Sequence, residues 1–474
     1  MNNNYESPLS GRYASKEMQE LFSSQKRYST WRRLWVALAD AEMKSGLPVT
    51  KEQIDEMTAN VDNIDFERVA EIEKQTRHDV MAHIRAYGEV CPSAAGIIHL
   101  GATSCFVTDN TDIIIMREAL DIIKAKLLTV IKNLSEFALE NKDIPALAYT
   151  HLQAAQPTTV GKRAALWLQD FYIDFGDLNY IYGGLRLLGN KGATGTQASF
   201  LKLLGGDTEK VLNLEKLIAE HFGFDGVYDV SGQTYTRKED MRLQNILCGI
   251  AQSAYKFTQD MRLLQSFGEL EEPFGKKQVG SSAMAYKRNP IRSERVCSLA
   301  RFVLANSVNA DLTASVQWLE RSLDDSANRR ISLAEGFLAI DSILNLLIDI
   351  SSDISVYPKV IEKRLNEHLP FMATENILME AVKKGGDRQE LHEVIRTYSN
   401  EVELAKKQGE DISLIDKIKN DSSFGLSEEE LMAILKPSDF IGLAPYQTER
   451  FITDKILPLL KDFDGRYSDS IIKV

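Results

Sequence analysis

TDIIIMREALDIIKAKLLTVIKNLSEFALE, running from Thr111 to Glu140, is the stretch that decides the fold. Its apolar residues Ile114, Ile115, Leu120, Ile123, Leu127, Leu128, Ile131 and Leu134 recur close to helical spacing. Arg237 to Phe267 repeats the pattern through Leu243, Ile246, Leu247, Ile250, Ala254, Phe257, Met261 and Leu264. A third stretch, Ile291 to about Ile350, lies between Pro290 and Pro358 with no proline between them. Such helices are long for a globular protein, and they are apolar over wide faces. Wide apolar faces predict a bundle, shared between subunits. Alternating strand patterns are few, so the expected class is all-α.

Working outward, the segment before about Thr103 mixes short helices with turns. After about Tyr357 the pattern restarts with Pro358, Pro370 and a charged helix near Ala373–Lys384. The expected division is an N-terminal helical domain (1–103), a central long-helix bundle (104–356) and a C-terminal helical domain (357–474). A length of 474 residues exceeds one typical core and agrees with more than one domain.

A net charge of -12 argues against a nucleic-acid partner. An acidic chain with a local basic cluster suits a small anionic ligand instead. Cys91, Cys105, Cys248 and Cys297 are scattered with no CxxC pair, which fits a reducing cytoplasm and gives no disulfide or zinc framework. No secretory signal and no membrane span is read. Metal motifs are absent. Gly189 to Gly195, GNKGATG, looks like a phosphate loop, but it lacks the GK[ST] ending and no strand is expected before it.

The densest chemistry lies in GSSAMAYKRNPIRSER, Gly280 to Arg295. Gly280, Ser281 and Ser282 make a poor helix start and a good mobile loop. Lys287, Arg288, Arg292 and Arg295 set cations beside it. Asn289-Pro290 is a turn-like break, and Pro290 suits the first turn of a following helix. A serine loop next to dense positive charge suits closure over a polyanion. A second cluster, Tyr149-Thr150-His151-Leu152-Gln153, follows the Pro145 break as a polar turn between helices. A histidine there, with an ordinary pKa of about 6.5, exchanges protons at neutral pH.

Other groups are weaker alone. Arg77 and His78 are anion donors, with Asp79 available to orient His78 and His78 itself a candidate base. Gly101-Ala102-Thr103-Ser104 offers hydroxyls after a glycine turn. Arg12 and Tyr13 sit in a turn, and Gln233 is expected at a helix start. Arg321, Ser326, Arg329 and Arg330 fall within ten residues. Arginine is the natural bidentate partner of phosphate and carboxylate.

These motifs resemble the fumarase/aspartase superfamily, whose signature loop reads GSSxMPxKxNP. Tyr286-Lys287-Arg288-Asn289-Pro290 with Arg292, Ser293, Glu294 and Arg295 is similar to the adenylosuccinate lyase branch, as are TRHDV at Thr76–Val80 and the THxQxAQP pattern at Thr150–Pro157. Ala285 departs from the pattern, which has proline there. The resemblance implies three helical domains, a homotetramer whose sites are shared between subunits, and fumarate-releasing cleavage of a C–N bond in N-succinyl purine nucleotides, without a cofactor. It implies Ser281 as base, His151 as acid, and Lys287 and Asn289 as stabilisers of the carbanion. Arg12, Tyr13, Arg321, Ser326 and Arg330 would hold phosphate and ribose. Arg77, His78, Asp79, Thr103, Ser104, Thr150, Gln233 and Arg295 would hold the rest of the substrate. Two alternatives remain at this point: another fumarate-releasing lyase such as an argininosuccinate lyase, or a non-catalytic structural relative.

Overall fold

The computed structural model describes residues 4–275 and 278–467. Residues 1–3, 276–277 and 468–474, which include the outer ends of the expected first and third domains, lie outside the described residues. Helices take 68% of the chain and strands 4%, so the all-α expectation holds.

The main elements are α1 (Ser24–Lys44), α2 (Asp79–Val90), α3 (Ser104–Glu140), a hairpin of β1 (Pro145–Thr150) and β2 (Gln153–Thr159), α4 (Val160–Gly184), α5 (Thr208–His221), α6 (Lys238–Phe267), α7 (Ile291–Ser315), α8 (Asp325–Ser352) and α9 (Pro358–Met372). Helices α3, α4, α6, α7 and α8 pack along one another as the central bundle. A continuous apolar core runs from Leu9 to Ile361 and takes in Ile452 and Ile456. A separate core gathers Leu391, Ile395, Val402, Leu414, Phe424 and Leu431. Helix α8 has the length and hydropathy of a membrane span, yet 78% of that window is buried inside the protein. Most of its apolar side chains pack against neighbouring helices. Lys126 and Asp341 pair inside this core, and Asp341 also accepts from Ser15 N–H at 2.6 Å.

The stretch expected as a third long helix is instead two, α7 and α8, with Val316–Asp324 between them. No proline causes the break. Leu319 takes a left-handed φ of 50°. The Glu320 carbonyl accepts from Gln233 N–H at 2.9 Å instead of from a helical partner. Gly232 lies so close that a Cβ there would sit 2.5 Å from Glu320 O. Tertiary partners have captured backbone that periodicity alone assigned to a helix.

The region around His151 also differs from expectation. It is the tip of a β-hairpin, not a turn between helices, with Thr150 paired to Gln153. His151 and Leu152 take φ of 54° and 57°. Consecutive left-handed residues form the tight turn whose twist matches paired strands. Pro157 sits in β2, which a short edge ribbon tolerates.

Candidate active site

A cleft of about 1030 Å³ opens where α2, α3 and α8 approach one another. Arg77, His78, Asp79, Thr103, Ser104, Gln233, Arg321, Ser326 and Arg330 all line it. The volume is at the upper end for small-molecule pockets.

Local sequence explains several of these placements. Arg77 ends the Phe66–Thr76 helix in a left-handed conformation, φ 51°. His78 then caps α2, its Nδ1 accepting from Met81 N–H at 3.3 Å. An accepting Nδ1 leaves the proton on Nε2, which lies 3.5 Å from Ser104 Oγ. Asp79 stands 3.7 Å from Nδ1 and also meets Arg330 at 3.5 Å. The helix end therefore orients His78 at least as much as Asp79 does. Thr103 is the N-cap of α3, yet its hydroxyl caps nothing. It stays available at a helix N-terminus, where anions are favoured. Gln233 lies in a loop ahead of α6 and not at its start.

Part of the cleft lining is an ionic network in which Asp109, Asp112 and Arg237, none of them singled out by the motifs, join Arg321 and Arg329. Arg237 meets Asp109 at 2.9 Å and Asp325 at 2.6 Å. Asp325 also holds Arg321 at 2.8 Å. Arg329 bonds Asp240 at 2.5 Å and Asp112 at 3.1 Å. Burial opposes ionisation of Asp112, but Arg27 and Arg329 outweigh it and hold the carboxyl below its ordinary range. Adjacent arginines thus part ways: Arg329 is 8% exposed at its side chain and Arg330 64%. The acidic residues Asp109, Asp112 and Asp240 on mostly apolar helix faces were the available signal.

The remaining predicted residues do not line this cleft. Thr150 and His151 stand exposed on the hairpin tip. Tyr149 beneath them accepts from Arg364 at 2.9 Å. In the serine loop, Ser281 Oγ accepts from the N–H of Ala283 (3.3 Å) and of Met284 (3.1 Å). Asn289 Nδ2 donates to Gly280 O at 2.8 Å, closing the loop on itself. Gly280 is required there, because a Cβ would lie 2.0 Å from Lys287 O. Lys287 is exposed and forms no ion pair among the described residues. Glu272 anchors the start of α7, accepting from the N–H of Arg292 and Ser293 at 2.9 and 3.0 Å. Arg295 and Arg12 both lie over the Tyr13 ring, at 5.6 and 5.8 Å. Arg295 Nη1 is buried with no hydrogen-bond partner among the described residues.

Comparison with known proteins decides the kinship. The lyase family matches residues 11–305, and the adenylosuccinate lyase C-terminus family matches residues 370–451. The adenylosuccinate lyase of Saccharomyces cerevisiae is 51% identical, over 99% of this chain and 98% of that protein. The chain belongs to the adenylosuccinate lyase family. Its counterpart in Schizosaccharomyces pombe is 50% identical, over 98% of this chain and 97% of that one. The 3-carboxy-cis,cis-muconate lactonizing enzyme of Pseudomonas putida superposes with a TM-score of 0.81 over 94% of this chain and 98% of that one. At 23% identity, that likeness speaks for the shared fold alone. Membership makes the chain a lyase and not a non-catalytic helical scaffold.

Proposed function

We propose that this lyase releases fumarate from adenylosuccinate, giving AMP, and from the succinyl aminoimidazole carboxamide ribotide of purine biosynthesis. The observation that carries the reading is the full-length kinship to adenylosuccinate lyases joined to a cleft walled by Arg77, Arg321 and Arg330.

Ser281 takes the proton from the succinyl carbon next to the one bearing nitrogen. The electron pair left behind forms the carbon–carbon double bond. The C–N bond breaks, its electrons go to nitrogen, and His151 supplies the proton there. Lys287 and Asn289 stabilise the adjacent carboxylate as charge develops on it. Serine is a weak base at its free pKa. Two backbone N–H donors on its oxygen support the alkoxide, and the neighbouring cations add to them. Positioned acid and base groups contribute roughly 10²–10⁴-fold each. Arg12, Tyr13, Arg321, Ser326 and Arg330 hold phosphate and ribose, while Arg77, His78, Asp79, Thr103, Ser104, Thr150, Gln233 and Arg295 hold base and succinyl groups. No metal or cofactor is called for, because elimination transfers no electrons to an acceptor.

The enzyme works as a cytoplasmic homotetramer in which subunits share each site. Support comes from apolar side chains left in water by the single chain. Leu166, Ile173 and Tyr180 stand seven residues apart on α4 and are 48%, 53% and 76% exposed. Leu319 and Leu323, between α7 and α8, are 96% and 73% exposed. Patches of this kind mark interfaces. Partner subunits would bring His151 and Ser281 to the cleft they do not line within one chain. Four buried free cysteines agree with a reducing compartment.

The test is ultraviolet-monitored turnover of adenylosuccinate by the wild type and by Ser281→Ala. AMP and fumarate from the first, with kcat lower by at least about 10³-fold and substrate still bound in the second, is the expected result. Near-normal turnover by Ser281→Ala would overturn the assignment of the base.

A further inference from the structure

The glycine-rich stretch Gly189–Gly195, which resembles a phosphate loop without its lysine–serine ending, is accounted for by none of the roles above. The loop closes on itself, with Gln197 N–H donating to Lys191 O at 2.9 Å. Inside it lies an ion pair, Lys191 Nζ to Glu215 Oε2 at 3.0 Å, whose side chains are 5% and 3% exposed. Glu215 comes from α5, and its other oxygen accepts from Asn190 N–H at 3.2 Å. Gly189 permits that approach, since a Cβ would sit 2.4 Å from Glu215 Oε1. Asn110 of α3 grips Gly189 at both N–H and carbonyl, at 3.1 and 3.0 Å. At the far end Gly195, φ 80°, presses on the loop that carries Gln233: a Cβ would lie 1.9 Å from Ser231 O.

A hydrogen bond joins this assembly to the cleft. The Ala193 carbonyl accepts from Gln233 Nε2 at 3.2 Å. On the other side, Cys105 Sγ stands 3.6 Å from Gln233 Oε1. A carbonyl on one side and a thiol donor on the other fix which way the amide faces. The reversed amide would set two carbonyl oxygens together. The second Nε2 hydrogen is then left for a ligand. Burial raises the Glu215 carboxyl above its ordinary range and Lys191 opposes that rise, so the pair is costly to maintain.

We propose that Lys191 and Glu215 are positioning residues. Their buried ion pair sets the Gly189–Gln197 loop so that the Ala193 carbonyl holds the Gln233 amide with one N–H directed to substrate. The inference rests on Gln233 touching substrate in the reading above.

A double-mutant cycle on the full-length enzyme tests it, with Lys191→Met, Gln233→Ala and their combination assayed on adenylosuccinate. Lys191→Met is expected to lower kcat/KM by about 10²-fold. Lys191→Arg should recover most of that loss. Added to Gln233→Ala, Lys191→Met should change kcat/KM by less than about 3-fold, because the residue it acts through is already gone. If Lys191→Met folds poorly, the neutral pair Lys191→Met/Glu215→Gln leaves no unpaired buried charge and is read in the same cycle. Equal losses in both backgrounds, or a lower melting temperature with unchanged kcat/KM, would overturn the proposal. Wild-type turnover by Gln233→Ala would remove the substrate contact beneath it, a separate failure visible in the single variant.

Discussion

Arg329 and Arg288 each lie close to residues proposed to meet the substrate, yet their surroundings are opposites. Arg329 is 8% exposed and reaches Asp240, Asp112 and the Tyr235 hydroxyl. Arg288 is 53% exposed and has one carboxylate, Glu271, at 3.0 Å. The contrast extends to their regions. The cleft wall is an ionic network sealed beneath α3, α6 and α8. The serine loop is held by Asn289, Glu272 and a few backbone contacts, with its side chains largely in water. Order in the wall is established when the chain folds, so binding there costs little further entropy. Among the described residues the loop has fewer ties to the bundle, which suits residues proposed to close over substrate and release product.

Breaking the wall should therefore cost stability first. Asp240→Asn removes the carboxylate nearest Arg329 and leaves a buried guanidinium short of a partner. The expected loss is about 3–5 kcal/mol in urea unfolding. A loss in kcat/KM with unchanged stability would mean that the wall is not the rigid half of the comparison.

A second buried carboxyl sharpens the point because it lacks a network. Glu42 on α1 is fully buried, and neither of its oxygens has a hydrogen-bond partner among the described residues. Burial pushes its pKa up from 4.5 to about 8, the reverse of Asp112 among its arginines. Between those values the folded state holds a proton that the unfolded state has lost. Stability therefore falls as pH rises from 4.5 through about 8. Urea midpoints measured across that range should decline in the wild type and flatten in Glu42→Gln. Parallel slopes in the two proteins would show that Glu42 is not the group responsible.

The loop should respond in rate and not in stability. Gly280→Ala places a methyl 2.0 Å from Lys287 O, so the turn that carries Ser281 must open. The expected effect is a fall in kcat of roughly 10–10²-fold with little change in melting temperature. An unfolded or strongly destabilised product would show that this loop, too, is part of the rigid frame.

The two halves were also unequally legible in the sequence. The motif GSSAMAYKRNP announced the loop because its chemistry is contiguous. Lys238–Phe267 was visible to within a residue because its apolar spacing is unbroken. The wall is assembled from Asp109, Asp112, Arg237, Asp240, Asp325 and Arg329, which reach one another across long stretches of chain, and spacing along one helix cannot reveal partners on another. The break at Val316–Asp324 and the hairpin under His151 escaped for a related reason. The first is set by Gln233 and Gly232 capturing Glu320. The second is a short edge ribbon whose turn uses His and Leu where asparagine and glycine would have signalled it.

The smallest effect expected concerns Ala285, where the family pattern has proline. Its N–H makes no hydrogen bond among the described residues, and its φ is not left-handed. Proline there should cost no hydrogen bond, and it would restrict the unfolded chain. Ala285→Pro should then stabilise the enzyme by about 0.4–1 kcal/mol. Its effect on kcat separates two views of the loop. If freedom at this hinge limits closure, the stiffer loop turns over slightly faster. If freedom is needed for product release, kcat falls while the single-turnover rate holds. Either shift should stay within about 5-fold, since roughly 1 kcal/mol is all the restriction supplies. A change beyond that would mean the backbone at Ala285 must move through angles proline forbids, and the loop would then be a jointed lid and not a stiff flap.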